Sequence, residues 1–383
     1  MLLGAAAVLV TGSIRPSDAV RSINIDVMLF LFGMFVVGEA LVESRYLYHI
    51  SYTFFKGARD TDSLVLLILF VMGFFSAFLM NDTVAIVGTP IAIFFAERHK
   101  ISSKLLLLSL CFAVTLGSVV SPIGNPQNLL IAIGGPVADP FVTFFKYLAV
   151  PTVINLLLAY FVLKILYRGH FHGKSLDNAR EPVRDHYLAL LSKISLIMIF
   201  ALVAVKIAVM FFWQALDFRL TYIALLAAVP ILALSPKRFK ILKNIDWHTL
   251  VFFAAMFVLM ESVWESGFIQ SAINGFGAGA SSVSLTLIVS VLASQLLSNV
   301  PFVALYLPVL RHAGAGAGSL MALAAGSTIA GNLLVLGAAS NIIVIQNAEK
   351  RGHTLNFLEF ASIGAPLTVL NLAVYWVWLT VVG

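Results

Sequence analysis

The stretch SPIGNPQNLL, residues 121–130, lies inside an apolar run that extends from residue 104 to residue 134. It contains two prolines, one glycine and three side-chain amides, and none of these favours a helix in lipid. At membrane depth, a backbone without helical hydrogen bonds is tolerated only where protein or a water-filled cavity encloses it. The stretch therefore predicts a broken helix beside an internal cavity.

The whole chain is much more apolar than a soluble protein. Of its 383 residues, 60% are hydrophobic and 11% are charged, whereas soluble domains average roughly 45–50% and 25%. These values exclude a soluble enzyme, a nucleic-acid-binding protein and a disordered chain, and they predict an all-α polytopic protein of the lipid bilayer. The single cysteine excludes an internal disulfide and Cys-based metal sites, and we expect no cofactor. The sequence has no zinc-ligand helix or Ser/His constellation at membrane depth, so it does not predict an enzyme.

About eleven apolar segments follow one another along the chain, and two of them are long and interrupted. MNDT (80–83) interrupts the run 63–96, and SNVP (298–301) interrupts the run 283–310. Each half is shorter than the roughly 20 residues that a crossing helix needs, so both runs are expected to form re-entrant helical hairpins. About nine crossings remain.

Lysine and arginine residues indicate the orientation in the membrane. Eighteen of the 24 fall in five segments between the apolar runs. These segments are 45–62, 97–104, 164–193, 236–243 and 349–353. The positive-inside rule assigns them to the cytoplasm. We therefore expect an inner-membrane protein with a cytoplasmic amino terminus and an extracytoplasmic carboxyl terminus.

The chain contains two similar halves, residues 1–167 and 191–383, joined by a charged cytoplasmic linker, 168–190. Aligning the halves pairs Glu39 with Glu261, Asn81 with Asn299, Pro90 with Pro308, Gly124 with Gly337, and Asn128 with Asn341. The first half is expected to hold an amino-terminal span, helix 25–44, hairpin 63–96, broken helix 104–134 and helix 141–167. The second is expected to hold hairpin 283–310, broken helix 318–347 and helix 357–381. The orientation above makes the hairpins enter from opposite sides, so the repeat is inverted.

Inverted repeats with discontinuous helices are typical of secondary transporters, whose sites lie at the interface between the repeats. The two hairpin tips and the two unwound loops each precede a resumed helix. Residues typical of helix amino termini stand there, namely Asn81, Asp82, Thr83, Asn125 with Pro126, Ser298, Asn299, Ser340 and Asn341. Helix amino termini favour anions, and none of the four interruptions contains a basic residue. The interruptions are therefore expected to hold an anion; the alternative is that these residues only cap helices.

Asp82 is acidic, whereas its counterpart in the second half is Val300. An ionisable group at membrane depth is costly and is typical of a functional site. Carbonyl, amide and carboxylate oxygens are suitable ligands for Na+. We therefore predict a Na+ or H+ coupling site in the first half, with Asn81, Asp82 and Asn125 as candidate Na+ ligands and Ser121 as a further contributor.

These motifs resemble the ion transporter superfamily, which includes divalent-anion/sodium symporters, citrate-transporter-like permeases, arsenite permeases and D-type sodium/proton antiporters. Four segments carry the resemblance, which covers nearly the whole chain: NDTVAIVGTP (81–90), SPIGNPQNLLI (121–131), SNVP (298–301) and GAASN (337–341). NDTVAIVGTP is most similar to the arsenite permeases, and SPIGNPQNLLI is similar to bacterial anion permeases. The resemblance implies a scaffold domain, a moving transport domain, homodimers and elevator-type alternating access.

The resemblance also implies a substrate site with two halves. One half comprises Asn81, Thr83, Gly124, Asn125, Pro126, Gln127 and Asn128. The other comprises Ser298, Asn299, Gly337, Ser340 and Asn341. The Ser-Asn-Thr tip of the symporters is replaced by Met-Asn-Asp in the first half and by Ser-Asn-Val in the second, which removes hydroxyl ligands on both sides.

The leading expectation is a secondary active transporter that moves a small anion or oxyanion coupled to Na+ or H+. A Na+/H+ antiporter that uses Asp82 is one alternative, and an arsenite or antimonite efflux permease is another. The sequence leaves the substrate, the coupling ion and the direction of transport open.

Overall fold

The computed structural model describes residues 1–171, 185–212, 218–267 and 282–382. Most of the expected linker 168–190 lies outside the described residues, namely 172–184. The described residues form helices and connecting turns without a β-strand, which confirms the all-α prediction.

The helices of the first half, before the linker, are α1 (Leu2–Val10), α2 (Pro16–Ser22), α3 (Ile25–Ser44), α4 (Tyr46–Phe55), α5 (Thr61–Leu79), α6 (Asn81–His99), α7 (Ser103–Ser118), α8 (Pro126–Gly134) and α9 (Pro140–Leu166). The helices after it are α10 (His186–Phe212), α11 (Leu220–Leu234), α12 (Arg238–Asn244), α13 (Trp247–Glu265), α14 (Val283–Leu297), α15 (Asn299–His312), α16 (Ala317–Leu333), α17 (Ala339–Glu349) and α18 (Phe357–Val382).

Six of these helices are long and apolar enough to cross a membrane: α3, α5, α9, α10, α13 and α18. Three shorter apolar helices, α7, α11 and α14, lie among them. The chain is therefore a multi-pass membrane protein.

Each of the two hairpins turns within a single residue. α5 and α6 meet at Met80 (φ 67°, ψ 139°), and α14 and α15 meet at Ser298 (φ 68°, ψ 158°). Each residue directly precedes one of the paired asparagines, so the two tips share one backbone conformation. The expected arm length is wrong for the first hairpin, because α5 has 19 residues and is long enough to cross a membrane. Asp60 caps the amino terminus of α5, so the helix begins at Thr61, two residues before the apolar run.

Ion pairs join the segments that the charge pattern assigns to the cytoplasm to one another or to the adjoining helix ends at Glu43 and Glu359. These pairs are Lys104–Glu359, Lys164–Asp62, Lys237–Asp185, Lys240–Glu43 and His353–Glu97. We call the face of the protein that carries them the basic face. It holds both ends of the first hairpin and the carboxyl ends of α3 and α17.

The second hairpin has its ends on the opposite face. Its first arm begins beside the carboxyl-terminal half of α18, where Trp376 Nε1 donates to Ser284 Oγ at 2.8 Å. Its second arm ends beside the carboxyl end of α13, where the rings of His312 and Trp264 lie 5.6 Å apart. The hairpins therefore enter from opposite faces, as an inverted repeat requires.

Both broken helices leave a carbonyl-rich turn that an asparagine closes. In the first, Asn128 Nδ2 donates to the carbonyl oxygens of Ser118, Val119 and Ser121 at 3.0–3.2 Å. In the second, Asn341 Nδ2 donates to the Gly331 carbonyl oxygen at 2.6 Å. These bonds satisfy carbonyl groups that the interruption frees from the helix.

Candidate functional site

The four interruptions lie together around a cavity of about 420 Å³, which we call the central cavity. The hairpin tips supply Asn81, Asp82, Ser298, Asn299 and Val300 to its wall, and the unwound loops supply Pro126, Gln127, Leu336, Ala338 and Ala339. Both halves of the chain therefore contribute to one site. This arrangement agrees with the expectation that broken backbone at membrane depth lines a cavity.

Hydrogen bonds within the first half and between the halves hold the interruptions together. The backbone N–H of Asn81 donates to the Gly124 carbonyl oxygen at 2.9 Å, which joins the first tip to the first loop. Asn81 Nδ2 donates to Ser340 Oγ at 3.4 Å, which joins the same tip to the second loop. Asn125 Nδ2 and Gln127 Nε2 both donate to Thr328 Oγ1 of α16, each at 3.3 Å.

Five helices begin at the central cavity: α6, α8, α13, α15 and α17. Asn125 caps α8 by accepting from Asn128 N at 2.9 Å, and Asp246 caps α13 by accepting from Thr249 N at 2.9 Å. Among the described residues, α6, α15 and α17 have no side chain that caps the helix. Some first-turn N–H groups of these three helices lack a partner in the described part of the chain and can bind water or a ligand. The dipoles of all five helices make the cavity favourable for negative charge.

The predicted site residues separate into a wall and a supporting layer. Asn81, Asp82, Pro126, Gln127, Ser298 and Asn299 line the central cavity. The supporting layer comprises Gly124, Asn125, Asn128, Gly337, Ser340 and Asn341, and its three asparagines are fully buried. Their side chains hydrogen-bond within the interruptions, so they hold the shape of the wall from behind.

Two other predicted residues point elsewhere. Thr83 packs against α3, where a Cβ on Gly38 would lie 2.7 Å from its Oγ1. Ser121 lines a different cavity, an apolar one between α5, α7, α9 and α10. Their predicted roles would need a rearrangement of these contacts.

The start of α13 was not among the predicted site residues, yet it brings Asp246, His248 and Thr249 to the cavity wall. A signal was present, because the alignment that pairs Glu39 with Glu261 also places Asp246 opposite Asn24. Asn24 caps α3 by accepting from Val27 N at 3.1 Å, just as Asp246 caps α13.

Comparisons with known proteins agree with this architecture. The sequence model of the citrate transporter family (CitMHS) matches residues 1–319. The chain belongs to the citrate transporter family. This result confirms the resemblance to the ion transporter superfamily, and it identifies the chain as a membrane transporter.

Curated relatives cover almost all of this citrate transporter family chain. A 46 kDa membrane protein of Mycobacterium leprae is 26% identical over 99% of the chain and 92% of its own length. An uncharacterized transporter of Mycobacterium tuberculosis is 27% identical over the same shares. The human P protein is 24% identical over 99% of this chain, which spans 56% of that longer protein.

A solved structure shares the fold. The YdaH transporter of Alcanivorax borkumensis aligns with a TM-score of 0.61, covering 95% of this chain and 86% of its own, at 14% sequence identity. The family is consistent with the expectation of a transporter rather than an enzyme.

The charges in the central cavity of this family member differ from those of an ordinary anion site. Asp82 and Asp246 line it, and the part of the chain that the structure describes adds no lysine or arginine to its wall. Asp82 Oδ1 and Asn299 Oδ1 are buried without a hydrogen-bond partner among the described residues. A buried oxygen in this state is a candidate for a proton, a water molecule or a cation. The described residues contain no group of three or more His, Cys, Asp or Glu that could hold a metal ion.

Proposed function

We propose that this protein is a secondary active transporter that carries a small carboxylate or oxyanion through the central cavity, coupled to Na+ or H+. The convergence of five helix amino termini from both halves on a cavity to which the described residues contribute no lysine or arginine carries the proposal. Uncapped N–H groups bind an anion by several weak interactions and release it without breaking an ion pair. Reversible binding of this kind suits a carrier, which must both take up and release its substrate.

The coupling cation, in this proposal, binds beside Asp82. Two carboxylates on the wall repel an anion unless a cation or a proton neutralises one of them. The unpartnered Asp82 Oδ1 and Asn299 Oδ1 supply oxygen ligands from both hairpin tips. Anion binding then requires the cation, and this requirement couples the two fluxes.

Citrate and related carboxylates are the first substrates to test, because the family carries the name of citrate transporters. The cavity volume of about 420 Å³ lies within the range of small-molecule sites, which is roughly 300–1,000 Å³. The carboxylate groups of such a substrate would accept from first-turn N–H groups of α15 and α17, because the first two N–H groups of α6 already donate to Gly124 O and Asn81 Oδ1.

An elevator-type motion fits the way in which the helices pack. The hairpins pack against the broken helices, α6 against α7 and α17, and α14 against α16. A second group forms around α3, which packs against α10 and α11. We propose that the first group moves as the transport domain and that the second is the scaffold. We further propose a homodimer in the inner membrane with the basic face in the cytoplasm.

A Na+/H+ antiporter is the second candidate, because the cavity wall holds two carboxylates and, among the described residues, no lysine or arginine. In that case Asp82 would carry the exchanged cation itself, and no anion would be required.

Transport in liposomes distinguishes the two candidates. Purified protein is reconstituted, and uptake of citrate, dicarboxylates, sulfate, phosphate and arsenite is measured with an imposed Na+ gradient or pH gradient. The proposal expects uptake of at least one anion that collapses when both gradients are removed. Movement of Na+ against a pH gradient without any anion would support the antiporter, and protein that moves neither an anion nor Na+ would overturn both candidates.

A further inference from the structure

A second cavity, of about 440 Å³, opens at the basic face between α3, α4, α6 and α17. We call it the inner vestibule. Arg45, Glu97 and Arg351 line its mouth, and apolar side chains such as Ile86 and Ile93 line its wall. Arg45 and Arg351 are exposed and belong to segments far apart in the sequence. Glu97 Oε1 lies 2.9 Å from His353 Nε2, which opposes its negative charge when the ring is protonated.

The inner vestibule lies next to the central cavity along the same helices. On α6, Asp82 lines the central cavity, and Ile86, Pro90, Ile93 and Glu97 line the vestibule. This spacing of three or four residues places all five side chains on one helix face, and the first step between the cavities is a single turn, about 5.4 Å. On α17, which packs against α6, Ile342 lines the central cavity and Asn347 lines the vestibule.

Arg45 occupies a position that ordinarily favours glycine. It joins α3 to α4 in the left-handed conformation, with φ 58° and ψ 20°. A long side chain in this region costs free energy that glycine would avoid, and such residues cluster at functional sites. At this turn, the Arg45 side chain places its guanidinium group at the mouth of the vestibule.

The opposite face carries a matching cavity of about 400 Å³, lined by Trp264, Pro308, Arg311 and His312. We call it the outer vestibule. The alignment of the halves pairs Pro308 with Pro90, and both prolines line the vestibule of their own half. On α15, Asn299 and Val300 line the central cavity, and Pro308 lies about two turns further towards the outer vestibule. The two vestibules are therefore related by the inverted repeat.

We propose that the inner and outer vestibules are anion-capturing entrances at the two ends of the transport path. Arg45 and Arg351 raise the local concentration of a carboxylate or oxyanion at the basic face, and Arg311 does so at the opposite face. This inference rests on the proposed function of the central cavity. In this arrangement the basic residues stand at the entrances and not at the binding site. The full charges of the arginines attract the anion, and the helix dipoles then hold it.

The test replaces one arginine at a time with cysteine and then restores or reverses the charge with a thiol reagent. The one native cysteine, Cys111, is fully buried, so membrane-impermeant thiol reagents will react with an introduced cysteine at an exposed site. Arg351→Cys and Arg311→Cys are compared in liposomes with Arg59→Cys, an exposed arginine on the basic face that lies outside the vestibule. Each is treated from outside with a methanethiosulfonate that carries an ammonium or a sulfonate group.

For Arg351→Cys, the KM for an anion presented at the basic face is expected to rise roughly threefold to tenfold at low salt, the low end of electrostatic steering effects. The ammonium reagent should restore the KM, and the sulfonate reagent should raise it further. Arg311→Cys should respond in the same way at the opposite face, and Arg59→Cys should not respond. The differences should disappear near 1 M salt, where the Debye length is about 3 Å.

The entrance assignment would be wrong if the two reagents had equal effects, or if KM were unchanged in both vestibule variants. In that case the proposed function would still stand, provided that the wild type transports the anion. Absence of anion transport by the wild type would instead overturn the proposed function, and the entrances with it.

Discussion

The two hairpin tips share a backbone but differ in charge. Met80 and Ser298 adopt nearly the same extended conformation with positive φ, and each is followed by an asparagine that starts a helix at the central cavity. The next residue is Asp82 in the first half and Val300 in the second. The two tips therefore share a backbone that begins a helix at the cavity, whereas only the first tip carries an acidic residue, which the proposed function uses to bind the coupling cation.

Removing that charge should have the largest effect on transport. Asp82→Asn is expected to abolish the dependence of anion uptake on Na+ and pH, because an amide of the same shape neither titrates nor attracts a cation. Initial uptake rates in liposomes across a Na+ and pH series measure this. Asp139→Asn, at the start of α9, is the matched control and should behave as the wild type. Unaltered Na+ and pH dependence in Asp82→Asn would show that the coupling charge lies elsewhere.

The two glycines of the unwound loops should differ in their tolerance of a methyl group. A Cβ on Gly124 would lie 2.4 Å from the Ser118 carbonyl oxygen, and one on Gly337 would lie 2.7 Å from the Ala330 carbonyl oxygen. We expect Gly124→Ala to destabilise the protein by about 3 kcal/mol and Gly337→Ala by about 1 kcal/mol, within the usual cost of overpacking. Thermal unfolding in detergent measures both, and a reversed order would contradict the account.

The buried asparagines should show the same asymmetry. Asn128 donates to three backbone carbonyl oxygens and Asn341 to one. The Asn128 amide has two N–H hydrogens to share among its three acceptors, so at about 1 kcal/mol for each hydrogen bond Asn128→Ala should lower stability about twice as much as Asn341→Ala. The midpoints of thermal unfolding test the ratio, and equal shifts would mean that the two loops are held in another way.

The smallest effect is expected at the second tip. Ser298 has a backbone conformation that is nearly restricted to glycine, and its side chain is exposed. Ser298→Gly should therefore stabilise the protein by about 1 kcal/mol without abolishing transport. A loss of stability in this variant would indicate that the serine hydroxyl has a structural partner in the folded state.

Much of the architecture was predictable because membrane burial constrains the backbone so strongly. Polar residues inside apolar runs revealed both hairpin tips and both loops, and the pairing of Asn81 with Asn299 revealed the repeat. Hairpin length was less predictable, because hydropathy does not count polar residues such as Asp60 that extend a helix beyond the apolar run.

The direction in which each side chain points could not be predicted from the sequence. Thr83 and Ser121 stand at the interruptions, yet neighbouring helices turn them away from the central cavity. Asp246 follows closely after the basic segment 236–243, whose composition indicates a cytoplasmic loop, and only tertiary packing brings it to the cavity. A repeat alignment locates such residues, but helix packing decides which of them reach the wall.

Protection of a cysteine at the second hairpin tip is the most direct measurement of the central claim. Ser298→Cys places an exposed thiol on the wall of the central cavity, while Cys111 remains buried. The account predicts that a transported anion slows modification of this thiol, with half-maximal protection near its transport KM, and that Ser282→Cys at the far end of the same arm is not protected. An unchanged rate of modification at a saturating concentration of the anion would contradict the claim that both halves of the repeat form its binding site.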